Sequence, residues 1–137
     1  MAAAKQWLGT PYAWGGGDAN GPTRGIHDGG TGDRNGDYNK IGFDCSGLAL
    51  YAYAQVGIYL PHYSGYQYFR GARISKSNLQ PGDLVFFAYN TSEPSTIHHV
   101  AIYIGDGMMI EAPNSGSYVR IRTLRTSGYI GAARPYA

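Results

Sequence analysis

The chain holds one cysteine, Cys45, at the point where a glycine- and aspartate-rich stretch gives way to good helix formers. In Gly42-Phe43-Asp44-Cys45-Ser46-Gly47-Leu48 a short polar run leads into Leu48-Ala49-Leu50-Tyr51-Ala52-Tyr53-Ala54-Gln55-Val56, which stops at Gly57. This order predicts a helix with Cys45 at its N-terminus. Unpaired backbone N–H groups and the positive end of the helix dipole favour an anion there, so a thiol of ordinary pKa about 8.5 is expected to fall towards or below neutrality. On a 3.6-residue period Cys45, Leu48, Ala49, Ala52 and Val56 form one stripe, by which the helix docks while the cysteine emerges at its upper end. A lone thiol is also a common buried structural side chain. Whether the chain supplies a base and an acceptor decides between the two.

Size allows one domain with a real core, since the chain has 137 residues, 43% of them hydrophobic. A single cysteine excludes an internal disulfide, and no paired Cys or Cys/His spacing offers a zinc site, so no metal and no cofactor are expected. The formal net charge is +2, with the eleven Lys and Arg scattered and no basic stripe, which argues against a nucleic-acid partner. No apolar run approaches the roughly 18 residues of a membrane span. Met1-Ala2-Ala3-Ala4-Lys5 lacks the order of a signal peptide, and an abrupt start in helix-like sequence suits a domain excised from a longer protein. A monomer is expected. The 13 Tyr suit either a groove that grips an extended polar ligand or ordinary sheet packing.

Along the chain, residues 2–8 read as a short helix ended by Gly9-Thr10-Pro11. Asp18 to Ile41 is almost devoid of apolar residues and reads as a long inserted loop, either functional or disordered. Its Asp28, Asp33, Asn35 and Asp37 do not follow the spacing of an EF-hand loop. After the Cys45 helix, residues 57–65 read as turn and extended chain, and Tyr66 to Gly71 as one or two helical turns. Leu79-Gln80-Pro81-Gly82-Asp83 marks a tight turn before a strand at Leu84 to Tyr89. His98 to Ile104 alternates with period two, and Gly105-Asp106-Gly107 turns it into a second strand, Met108 to Ala112. Tyr118 to Leu124 and Tyr129 to Arg134 complete the set. Helices first and a run of strands afterwards predict an α+β fold with an antiparallel sheet.

A cysteine nucleophile needs a base, and the base needs an orienting acceptor. Of the four histidines, His27 lies in the polar loop and His62 in an extended segment that could edge a site. His98 and His99 open a strand. By alternation His99 shares a face with the small Ala101, which leaves room for a partner, so His99 is the expected base. In a hairpin turning at 105–107, residues 110–112 come beside 99–102, and Glu111 is the only charged residue of that second strand. It is either a solvent-face residue or the acceptor that fixes the His99 ring.

These segments resemble those of the NlpC-type cell-wall peptidases: Gly9-Thr10-Pro11-Tyr12-Ala13-Trp14-Gly15-Gly16, Phe43 to Leu48, Leu79 to Phe87, and His99 to Gly105, in that order. The resemblance implies a papain-like fold and a secreted, wall-localised cysteine peptidase. Its activity would be that of a D,L-endopeptidase cutting peptidoglycan stem peptides between γ-D-glutamate and the diamino acid, meso-diaminopimelate by expectation. It implies Cys45 as nucleophile, His99 as base and Glu111 as third residue, with Tyr12, Asp44, Ser46, Ser64 and His98 on the substrate side. Asp44 is equally an ordinary helix N-cap. Most relatives carry His at the third position. Acidic Glu111 and the 18–41 insertion look like the actinobacterial Rip-type endopeptidases, which act in wall remodelling and cell separation. The alternatives are a Cys/His amidase that releases the whole stem, and a wall-binding module without turnover.

Overall fold

The computed structural model describes residues 2–137; Met1, and the expectation about how the chain starts, lie outside them. Helix α1 spans Ala2–Lys5, shorter than the predicted 2–8. The chain leaves it early because Gly9 and Tyr12 donate backbone N–H groups to Val119 (3.0 Å) and Ser117 (2.9 Å), a pairing a continuing helix would forbid.

The polar insertion is ordered. It contains β1 (Thr23–Arg24), α2 (Thr31–Arg34), a 3₁₀ turn at Asp37–Asn39 and β2 (Ile41–Gly42), with β1 and β2 antiparallel. With few apolar residues to bury, it is held by one buried carboxylate. Asp37 accepts from the Trp14 N–H (3.0 Å) and the Ser115 hydroxyl (2.7 Å) and faces the Lys40 ammonium at 3.5 Å.

Helix α3 spans Cys45–Ala54 with Asp44 as N-cap, as the sequence predicts. The expected one-sided stripe is corrected in two respects. Val56 lies beyond the helix and is mostly exposed, and Tyr51 and Tyr53 are buried along with Leu48, Ala49 and Ala52. Tyr51 packs against Phe43 and Trp7, while the Tyr53 hydroxyl reaches the Gly82 carbonyl. The helix is thus covered on nearly all sides. Helix α4 is Ser64–Gln67, two residues ahead of the predicted start.

Six strands form one antiparallel sheet: β3 (Ala72–Ile74), β4 (Leu84–Ala88), β5 (Ile97–Gly105), β6 (Met108–Glu111), β7 (Arg120–Thr123) and β8 (Tyr129–Arg134). Their spatial order is β3-β8-β4-β5-β6-β7. Only β3, a three-residue edge strand, was outside the sequence expectation. Strand β4 is buried throughout, because both faces of the sheet are covered. Leu84, Phe86, Val100 and Ile102 pack with α3, whereas Val85, Phe87, Ala101 and Met109 form a second apolar cluster. At the entry to β4, the fully buried Asp83 receives the Arg134 guanidinium through Nε (2.7 Å) and Nη2 (2.9 Å), joining that turn to β8. The result is the α+β architecture expected, with the start of α3 set against β5.

Candidate active site

Cys45 is half-buried at the first position of α3. The Asp44 carboxylate builds this helix start. Its Oδ1 accepts from the Gly47 N–H (2.7 Å) and the Ser46 hydroxyl (3.2 Å), and its Oδ2 from the Gly15 N–H (3.0 Å). The N–H groups of Cys45 and Ser46 point to the sulfur instead, as does that of Val100 in β5. Strand β6 pairs with β5 from Ile102 onward, so Cys45 meets β5 short of that ladder, at Val100, the residue after His99.

The thiol itself departs from expectation. Burial and the Asp44 charge push its pKa up to about 12, against the pull of the three N–H groups. The helix terminus does act on the sulfur, yet desolvation outweighs it.

His99 is buried, and its Nε2 lies 2.7 Å from Oε1 of Glu111. The hairpin register Ile102↔Ile110 sets Glu111 one rung nearer the start of β5, diagonal to His99 on the same face. Oε2 of Glu111 accepts from Nε of Arg120 at 3.1 Å, across the pair Glu111↔Arg120 of β6 and β7. Burial alone would raise the Glu111 carboxyl, but His99 and Arg120 hold it below its ordinary value. It is ionised at neutral pH, so the hydrogen between the two groups sits on His99 Nε2. Phe87 flanks the imidazole, with ring centroids 5.7 Å apart.

The substrate-side expectations divide. Tyr12 is buried beside the thiol, its phenol raised by burial first and by Cys45 next. Asp44, Ser46 and Ser64 are also buried. Asp44 and Ser46 spend their polar atoms on the helix start, so they position the nucleophile from beneath. His98 is exposed and stacks on Tyr89 at 3.9 Å, pointing away from the buried pair. His27, in the insertion, pairs with Asp33 at 2.5 Å and stacks on Tyr38.

The sequence model of the NlpC/P60 family matches residues 9–133. The chain belongs to the NlpC/P60 family. Over 121 residues it is 50% identical to the peptidoglycan endopeptidase RipA of Mycolicibacterium smegmatis, a match that covers 88% of this chain and 22% of RipA. Its identity to RipB of Mycobacterium tuberculosis is 39%, over 88% of this chain and 45% of RipB. A γ-D-glutamyl-L-lysine dipeptidyl-peptidase of Bacillus cereus is 41% identical over 92% of this chain and 31% of that enzyme. The chain thus spans less than half the length of each of these relatives.

Among solved structures, RipA altered at a cysteine superposes with a TM-score of 0.83 at 42% identity, over 97% of this chain and 58% of that one. RipA has also been solved altered at a histidine and at a glutamate twelve positions apart, the separation of His99 and Glu111. RipD of M. tuberculosis, described as a non-catalytic NlpC/p60 domain protein adapted to peptidoglycan binding, superposes with a TM-score of 0.79 at 37% identity, over 97% of this chain and 92% of that one.

Within this NlpC/P60 chain two functional-site contacts were not legible beforehand. Arg120 carries no motif, and its pairing with Glu111 follows only from the β6–β7 register. His62 was placed at the edge of a site, but its bond to Asp44 depends on the path of residues 57–63 past the start of α3.

Proposed function

We propose that this chain is a cysteine peptidase domain that hydrolyses peptidoglycan stem peptides, acting at the cell wall outside the cytoplasm in wall remodelling or cell separation. The observation that carries it is the thiol at a helix start against Val100 of β5, with the preceding strand residue, His99, buried against an ionised Glu111 carboxylate that Arg120 also holds. The names borne by RipA and RipB support peptidoglycan as the substrate class, and that of the B. cereus relative, which specifies γ-D-glutamyl-L-lysine, supports the bond that follows γ-D-glutamate; the diamino acid we assign is meso-diaminopimelate.

The chemistry is acyl transfer. His99 Nδ1 takes the Sγ proton as the sulfur attacks the amide carbonyl carbon, which gives a tetrahedral adduct and an imidazolium stabilised by Glu111. The N–H groups of Cys45 and Ser46 at the start of α3, which face the sulfur, receive the oxyanion as it forms, with Tyr12 beside the thiol. As the C–N bond breaks, the imidazolium proton goes to the leaving amine. Water, deprotonated by His99, then opens the thioester and restores the thiol.

Peptidoglycan fragments incubated with wild type and with Cys45→Ala, read by mass spectrometry, test this. New termini at γ-glutamate and at the diamino acid with wild type alone are expected. Release of the intact stem would make the chain an amidase. Binding without any product would place it with the non-catalytic members.

A further inference from the structure

His62 is unused by the mechanism above, yet it touches the group that builds the nucleophile's helix start. Its Nε2 lies 2.8 Å from Oδ1 of Asp44, the oxygen that also caps Gly47. Gly47 leaves room for this approach, since a Cβ there would come within 3.0 Å of His62 Nε2. The backbone on either side of this contact is tied together: Gln67 Nε2 donates to the Pro61 carbonyl (2.8 Å) and to the Ser46 carbonyl (3.0 Å). The charged groups facing His62 are Asp44 from the cap of α3 and Asp18 from the loop before β1, both acidic. The charge that raises Cys45 is that of Asp44, the neighbouring Tyr12 phenol is held neutral, and His99 is the titratable base assigned to the thiol from β5.

We propose that His62 is a positioning residue for the nucleophile: its imidazolium, held against Asp44, cancels the field of the helix cap at Cys45 and so lets the thiol ionise. This rests on the reading of Cys45 as nucleophile. Two opposing effects meet at Asp44. The carboxylate is needed to cap α3, and its negative charge disfavours a thiolate on the next residue. A cation paired with it keeps the cap and offsets the part of the penalty that comes from the Asp44 charge, burial being the larger part. The His62 ring is well suited, because its hydrogen bond to Asp44 outweighs its partial burial and keeps it protonated above its ordinary value. As pH rises through that raised value, the cation is lost and the Asp44 field returns.

Cys45 is the only thiol, so its alkylation rate with iodoacetamide reports its ionisation without substrate. The rate is followed from pH 5.5 to 9 for wild type, His62→Gln and His62→Lys. Near pH 6 His62→Gln is expected to react roughly tenfold more slowly than wild type, the equivalent of one pKa unit of the thiol, and the two should converge by pH 9. His62→Lys should keep the fast rate near pH 6. Equal rates for wild type and His62→Gln at all pH values, or an offset that is the same at every pH, would overturn the proposal. So would failure of a folded His62→Lys to restore the rate. If His62→Gln does not fold, wild type alone serves: the alkylation profile should bend where the His62 ring titrates by NMR, and a profile without that bend overturns the proposal. Wild type that alkylates as expected but leaves peptidoglycan intact would count against the peptidase reading alone. Active wild type with an unchanged His62→Gln profile would count against this inference alone.

Discussion

Glu111 has almost no contact with solvent, and a carboxylate so placed stays ionised only while its partners compensate for lost hydration. His99 takes one oxygen and Arg120 the other. Arg120→Ala therefore lets the Glu111 carboxyl protonate at higher pH, and the acid limb of kcat/KM should move upward relative to wild type; an unmoved limb would show that Arg120 is peripheral. Glu111→Gln keeps the shape but loses the charge that stabilises the imidazolium, so kcat should fall by about 10²–10⁴-fold with KM little changed. The same substitution has a stability consequence whose sign follows from the lowered pKa. The ionised carboxylate contributes stability above its unfolded value, and this is lost as pH falls through the lower folded one. Acid unfolding followed by circular dichroism should accordingly be shallower in Glu111→Gln than in wild type. At this scale Glu111 was legible because it is the lone charge in an apolar strand, whereas Arg120 is one of eleven scattered cations with nothing local to mark it.

Helix α3 works as an element because its start is wedged against the Pro11–Gly16 segment with no space for side chains. A Cβ on Gly47 would lie 2.0 Å from the Gly16 carbonyl oxygen, and one on Gly42 would lie 1.8 Å from that of Pro11. Both obstacles are backbone, which cannot rotate away. Gly47→Ala should cost about 2–3 kcal/mol, read as a lower urea midpoint at unchanged m-value. Gly36 is a useful contrast, with φ of 73° and nothing near its missing Cβ. Gly36→Ala should cost about 1 kcal/mol, from conformation alone. The helix and its cap were legible from the Asp-Cys-Ser-Gly run and the Gly57 stop. The covering of its outer side was not, because it comes from Trp7 and Phe43, which approach through the path of the N-terminal segment.

Across the whole molecule, the 18–41 insertion and the sheet are joined through Asp37, which ties Trp14 on one side to Ser115 on the other. Other hydrogen bonds also tie the insertion down, among them Trp14 Nε1 to Asp28 (2.8 Å) and Gln55 Nε2 to the Ala19 carbonyl (2.8 Å), but the Asp37 carboxylate is the fully buried anchor. Asp37→Ala should open residues 18–41 to limited proteolysis while the sheet resists, as mass spectrometry of the fragments will show; cleavage elsewhere first would mean that the insertion is anchored by other contacts. The sheet is the larger departure from what alternation suggests. A period-two pattern in 98–104 reads as one buried and one open face, but Ala101, Met109, Phe87 and Val85 make a second core on the other side. Local pattern reports which residues share a face, and chain segments far away in sequence decide whether that face is covered.

The sequence by itself determined the helix that begins at Cys45, the order of the strands along the chain, the hairpin that brings Glu111 towards His99, and the family. Each is encoded within a few residues, through capping, alternation or turn chemistry. Only the tertiary structure decided the ionisation of the thiol, the partners of Asp44 and Glu111, and the anchoring of the insertion. Those depend on desolvation and on charges that meet across 9 to 78 positions of chain, from Arg120 and Glu111 to Ser115 and Asp37, and no local pattern contains them.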